Sequence, residues 1–211
     1  MGVILSIIAI IILLLRNIEI FIVSNYQIDS EIISLQICHF ANFVLFFAFL
    51  KDDKVWFVLA FCLNLPAALL SIIFAESLTN YTHLFSFSAQ AYIWGHMMIV
   101  GITLWAFINE FIVINFKIWV KTIFFKLMFL VSVPVNMFIS NLTGKTANYF
   151  YSLEPKTPLK LLYSLGKEIS FINFTINPIY LLIIIVFGII VVMFFYVIYF
   201  LVNKLFLKRS L

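Results

Sequence analysis

Charge is the scarcest property of this chain: 10% of its 211 residues are charged, against 65% hydrophobic, with 26 Phe. A water-soluble fold of that composition would leave large apolar surfaces facing water, so an integral membrane protein is expected. The formal charge of +4 has no surface domain to collect it, which argues against nucleic acid as a partner. Cysteine is nearly missing as well, with only Cys38 and Cys62. Gly/Ser linkers, low-complexity tails and internal repeats are absent, so a single domain over 1–211 is expected. HExxH, CxxC, GxxxxGKS/T and GxSxG motifs are absent too, as is any cluster of intramembrane carboxylates. Metal, nucleotide and proton-relay chemistry therefore rank low, and no cofactor is called for.

What the chain has in abundance is apolar runs. With about 20 apolar residues needed per crossing, runs at 3–23, 33–50, 55–75, 91–114, 122–141 and 178–203 predict an all-α bundle of six transmembrane helices. Continuous runs exclude a barrel, whose strands alternate. The first run lacks a charged n-region, holds Arg16 and Glu19, and has no small-residue cleavage site before Gln27, so it reads as a retained helix. Lys51, Lys54, Lys117, Lys121, Lys126, Lys204, Lys208 and Arg209 fall on the side of the termini; Lys145, Lys156, Lys160 and Lys167 fall on the other. The positive-inside rule then puts both termini in the cytoplasm of a cell-membrane protein. The loop 142–177 would lie outside, an aromatic cap at the interface.

Few side chains in the runs can do chemistry. Cys62 and Cys38 should differ in depth by roughly 10 Å at 1.5 Å per residue, too far for a disulfide, which needs Cα atoms within about 7 Å. His39 adjoins Cys38 but projects about 100° away, and His83 falls in a short outer loop. His96, on a separate run, shares the depth expected for Cys38, so the two form a candidate nucleophile and base. The bland reading is a small buried hydrophobe and a histidine bonded to a neighbouring helix. Arg16 either pairs with Glu19 one turn on or holds a lipid phosphate. Asn64 before Pro66 and Asn136 after Pro134 either repair the carbonyls that proline frees or donate to an oxyanion.

A pattern larger than any of these also emerges. Leu35-Gln36-Ile37-Cys38-His39, Leu63-Asn64 with Ala67-Ala68-Leu69-Leu70, Tyr92 through His96, and Asn148-Tyr149-Phe150-Tyr151-Ser152-Leu153-Glu154-Pro155 together resemble the YwaF-like family of small membrane proteins. Vertebrate relatives of that family are phospholipid acyltransferases that use a Cys and a His. The resemblance covers roughly residues 33–200 and implies Cys38 and His96 as the catalytic pair, with the loop motif carrying Asn148 and Tyr151 over the same leaflet. The chain departs from bacterial members at Gln36, where His is frequent. The implied activity is movement of a fatty acyl chain between membrane phospholipids through a Cys thioester. Two rivals fit the same composition: a substrate-binding membrane subunit of a transporter, with Asn64 and Asn136 lining a cavity, and a structural factor without chemistry.

Overall fold

The computed structural model describes residues 1–27, 30–33, 35–74, 84–124, 127–155, 159–171 and 174–207. His83, Lys126, Lys156, Lys208 and Arg209 lie outside them. The chain runs α1 (Gly2–Val23), α2 (Ile37–Lys51), α3 (Lys54–Leu59), a π-turn (Ala60–Asn64), α4 (Leu65–Phe74), α5 (Phe87–Ile108), α6 (Phe116–Phe124), α7 (Met128–Thr143), a 3-10 turn (Tyr149–Tyr151), α8 (Lys160–Tyr163), a hairpin of β1 (Ile169–Phe171) and β2 (Phe174–Ile176), and α9 (Pro178–Val202). The fold is mostly helical. The antiparallel hairpin, pairing Ile169 with Ile176, is a departure from the all-α expectation, set in the loop between α7 and α9.

Among the described residues, four helices are long and apolar enough to cross a membrane: α1, the continuous Lys54–Phe74, α5 and Pro178–Leu205. Their packing is inside out relative to a soluble protein. Along α1 the residues turned to the protein are Gly2, Ser6, Ala9, Leu13, Arg16 and Asn17, spaced three or four apart on one face. Ile4, Ile7, Ile8, Ile11, Leu14, Leu15, Ile18 and Ile22 are exposed. A helix that buries its polar stripe and exposes its Ile and Leu is solvated by lipid. Lys54–Phe74 is the most enclosed span, with 61% of its apolar window buried against 22% for α1. It stands between α2 and α5 on one side and α9 on the other, while α1 flanks α2 and α5 and α7 flanks α9.

The runs 33–50 and 122–141, expected as full crossings, form shorter apolar helices, α2 with 15 residues and α7 with 16. At 1.5 Å per residue these reach about 22–24 Å, short of a hydrocarbon core of about 30 Å. The run 91–114 also stops early. Asn109 donates Nδ2 to the Trp105 carbonyl at 2.8 Å, Glu110 takes a left-handed φ of 64°, and the chain extends until α6. In α6, Ile118 and Trp119 pack on the core while Lys117 and Lys121, one turn apart, are exposed. That core, at the end holding the termini, gathers Phe57, Phe61, Cys62, Phe107, Ile112, Val192 and Tyr199. Cys62 is completely buried in it, and neither cysteine forms a disulfide.

Candidate functional site

At the opposite end of the bundle, two loops turn inward. Arg16 donates to the Glu31 carbonyl at 3.3 Å and to Glu31 Oε2 at 3.1 Å, and Asn17 Nδ2 donates to the Ile32 carbonyl at 2.9 Å. Arg16 sits seven residues before the end of α1, about 10 Å below it, so the segment around residues 31–32 is drawn back along α1, below that end. Non-helical backbone at such depth is tolerated only when protein groups satisfy it, which is what Arg16 and Asn17 do. The expected Arg16–Glu19 pair is not formed. Arg16 reaches forward to the loop, and Glu19 accepts a hydrogen bond from Ser88 Oγ on α5.

The second inward loop is fastened the same way. Asn136, seven residues before the end of α7, donates Nδ2 to the Tyr149 carbonyl at 3.0 Å and to Ser152 Oγ at 2.8 Å. Its Oδ1 accepts from the Tyr149 N–H at 2.7 Å. The Asn148 side chain accepts from the N–H groups of Leu153 and Glu154 and donates to the Glu154 carbonyl. Tyr151 presents its carbonyl to the Tyr180 hydroxyl at 2.9 Å. These bonds hold Phe150 and Tyr151 at φ of 59° and 53°, a region that costs non-glycine residues energy. The two loops also meet, since the Tyr149 hydroxyl donates to the Ser30 carbonyl at 2.6 Å. Asn136 therefore neither repairs the Pro134 gap nor points an idle amide at a ligand; it secures a loop.

Because the first loop descends, α2 begins late and deep. Cys38, in its first turn, reaches the level of His96, which lies nine residues into α5. The matched depth expected from the apolar runs holds, but by another route: α2 starts at Ile37 instead of 33, and α5 at Phe87 instead of 91. Cys38 and His96 stand close enough for their side chains to act on one another electrostatically. They are not aligned, however, since His96 Nε2 makes no hydrogen bond of full geometry. His96 Nδ1 lies 2.6 Å from the Tyr92 carbonyl. A carbonyl only accepts, so Nδ1 carries the proton and the neutral ring offers Nε2 as its acceptor. His96 is 6% exposed; Cys38 is half-buried.

Two residues that sequence reasoning did not select complete this layer. Ser71, on α4, lies with Oγ 3.8 Å from Cys38 Sγ. Tyr92, one turn before His96, stacks a tilted ring on the imidazole with centroids 4.3 Å apart and donates its hydroxyl to the Ser71 carbonyl at 2.8 Å. Ser71 is the only polar residue of α4, and that isolation was the available signal. His39 stands near enough to Arg16 and His96 for both to act on it electrostatically, and its Nδ1 is buried without a partner among the described residues.

Asn64 also departs from expectation. It is 1% exposed and neither end of its amide has a hydrogen-bond partner among the described residues. The gap made by Pro66 is absorbed instead by the π-turn Ala60–Asn64, whose wider ring runs from the Leu65 N–H to the Ala60 carbonyl. Asn42 Oδ1 and Thr103 Oγ1 are likewise buried and unpartnered.

A model of the TMEM164 family, a family of transmembrane proteins, matches residues 1–206. The chain belongs to that family. No curated protein and no solved structure matches it. The match spans both inward loops, the Cys38–Ser71–Tyr92–His96 layer and all the spans. In this member of the family, a groove of about 280 Å³ opens on the flank near the same end, between α1 and the start of α5. Leu15, Ile18, Glu19, Ile22, Val23 and Phe87 line it. It is apolar apart from Glu19 and does not reach Cys38 or His96. Among the described residues no group of His, Cys, Asp and Glu side chains is arranged to hold a metal.

Proposed function

We propose that this protein is a membrane-embedded acyltransferase of the cell membrane, related to the YwaF-like proteins and their vertebrate phospholipid acyltransferase kin, that moves a fatty acyl chain between lipids through a thioester on Cys38. In this reading the four long helices and the shorter α2 and α7 make six crossings. Lys51, Lys54, Lys117, Lys121 and Lys204 face the cytoplasm with both termini, so the Cys38 layer lies beneath the outer headgroups. The observation that carries the reading is the meeting of Cys38 and His96 from separate helices, with Nε2 of His96 unpaired and Nδ1 held by the Tyr92 carbonyl.

The chemistry follows from that geometry. His96 Nε2 takes the Cys38 proton as sulfur attacks the ester carbonyl of a phospholipid. The carbon–oxygen bond to glycerol then breaks, and the leaving oxygen takes the proton from His96, releasing a lysophospholipid. In the second half His96 removes a proton from the hydroxyl or amine of the acceptor, which attacks the thioester; the carbon–sulfur bond breaks and the thiolate is reprotonated. Arg16, beside His39, would take the donor phosphate by exchanging it for the Glu31 carboxylate, and the Asn64 amide, without a partner among the described residues, would meet a polar group of a substrate. Asn136, Asn148 and Tyr151 serve by holding the loop above. No cofactor is needed.

The test is a hydroxylamine-labile acyl adduct on the purified protein, expected on wild type and lost in Cys38→Ala and His96→Ala. Full lipid-remodelling activity in both variants would sink the mechanism. The transporter-subunit reading draws on the unpartnered Asn42, Asn64 and Thr103; copurification of a coupling ATPase, with Cys38→Ala tolerated, would favour it.

A further inference from the structure

Two polar side chains lie beside the Cys38 thiol, His96 and Ser71, and the acyl-transfer reading uses only the first. Three separate helices supply the layer: Cys38 from α2, His96 from α5, and Ser71 from α4, with Ser71 Oγ 3.8 Å from the sulfur. A thiol is a single weak donor, and His96 Nε2 is an acceptor with no other partner. Once the S–H turns to Nε2, as the acyl-transfer reading requires, the Ser71 hydroxyl is left to donate to sulfur. That bond gains importance when the proton leaves, since negative charge on sulfur among apolar side chains is costly unless donors face it.

Ser71 is itself held. The Tyr92 hydroxyl bonds its carbonyl at 2.8 Å, while the carbonyl of the same Tyr92 bonds His96 Nδ1 at 2.6 Å. One residue thus braces both partners of the thiol, tying α4 to α5 at the level of the sulfur.

We propose that Ser71 is a further site residue, the hydrogen-bond donor that stabilises the Cys38 thiolate as it forms, and that the Tyr92 hydroxyl is a positioning group that holds Ser71 in place. This rests on the reading of Cys38 as the nucleophile. During attack the proton passes to His96 Nε2, the electron pair stays on sulfur, and the Ser71 O–H points at it without giving up its proton.

The test uses the full-length protein in proteoliposomes and a probe that needs no lipid substrate. Iodoacetamide alkylates thiolates, so its rate on Cys38, read by mass spectrometry of the Cys38 peptide at fixed pH, reports how readily the thiolate forms. Ser71→Ala should slow alkylation about tenfold, the worth of one hydrogen bond to a charged group. Ser71→Thr, which restores the hydroxyl, should return the rate to within about threefold of wild type, and Tyr92→Phe should slow it by about threefold. Alkylation of Ser71→Ala at the wild-type rate overturns the proposal, as does a Ser71→Thr as slow as Ser71→Ala. If Ser71→Ala fails to fold, wild-type reactivity in Tyr92→Phe overturns it instead. An acyl adduct that forms in wild type while alkylation ignores Ser71 defeats this proposal alone. Alkylation that depends on Ser71 in a protein forming no adduct supports it and defeats acyl transfer alone.

Discussion

Asn136 and Asn64 offer one chemical change at two almost equally buried positions, 0% and 1% exposed, with opposite expected outcomes. Replacing Asn by Leu keeps the number of side-chain heavy atoms and removes the amide's hydrogen-bonding capacity. At Asn136 the Tyr149 N–H loses the acceptor that it reaches at 2.7 Å, and an orphaned buried donor costs about 1–3 kcal/mol. The bonds from Nδ2 to the Tyr149 carbonyl and Ser152 Oγ go too, at about 0.6 kcal/mol each, the average found within membranes. The total is a loss of about 2–4 kcal/mol. At Asn64 no bond is lost. Removing an unsatisfied amide returns about 1–3 kcal/mol, against about 1 kcal/mol for crowding by the larger methyl groups. Asn64→Leu should therefore be neutral or stabilising. At about 2–4 °C per kcal/mol for a chain of this size, the two variants should differ by about 10 °C in thermal unfolding in detergent. Limited trypsin digestion should cut faster after the exposed Lys145 in Asn136→Leu only, because that change releases the loop. Equal destabilisation by the two substitutions would refute the reasoning, since it would mean that the Asn64 amide has a stabilising partner.

Three further outcomes follow from the same contacts. Arg16→Met should lower the unfolding temperature and expose residues 30–33 to hydrogen exchange, because it leaves the Glu31 carbonyl and Asn17 Oδ1 without the donor that Arg16 supplies; Glu31→Gln, whose side chain is 59% exposed, should cost no more than about 1 kcal/mol. Partial burial, aided by the Glu168 carboxylate that its hydroxyl bonds at 3.0 Å, pushes Tyr163 up to about 12. The folded state thus holds that proton more tightly than the unfolded chain, so the associated stability is complete below about pH 10 and is lost as pH rises towards 12; Glu168→Gln should bring the phenolate absorbance in at lower pH. Cys62→Ala should leave the acyl adduct in place while lowering stability by about 1–2 kcal/mol through the small cavity it opens in the core, and loss of the adduct there would move the nucleophile away from Cys38.

The candidate site was legible in proportion to how local its causes are. Cys38 and His96 could be selected because a thiol and an imidazole are rare in apolar runs and their distance from a run's edge translates into depth. Ser71 and Tyr92 were not: Ser71 stands alone as a polar residue in α4 and Tyr92 opens a motif of the resemblance, but a serine or tyrosine near a helix end is ordinary until its partner on another helix is known. The Arg16–Glu19 pair was expected from spacing along one helix, yet the guanidinium found Glu31 on the returning loop. Asn136 and Asn64 look alike in sequence, each two residues from a proline, but one holds a loop and the other has no partner among the described residues.

Composition and run length alone determined that this chain lives in lipid, that it is helical, and roughly where its long helices lie, because the cost of unpaired backbone in hydrocarbon leaves few alternatives. Tertiary structure decided that two apolar runs end short and are completed by loops folded back inside the bundle. It also decided that sulfur, imidazole and hydroxyl arrive together from three helices. Hydropathy averages over side chains and is blind to a buried hydrogen bond, so bonds such as those of Arg16, Asn17 and Asn136, which draw non-helical backbone back along the helices, cannot be read from a run of apolar residues.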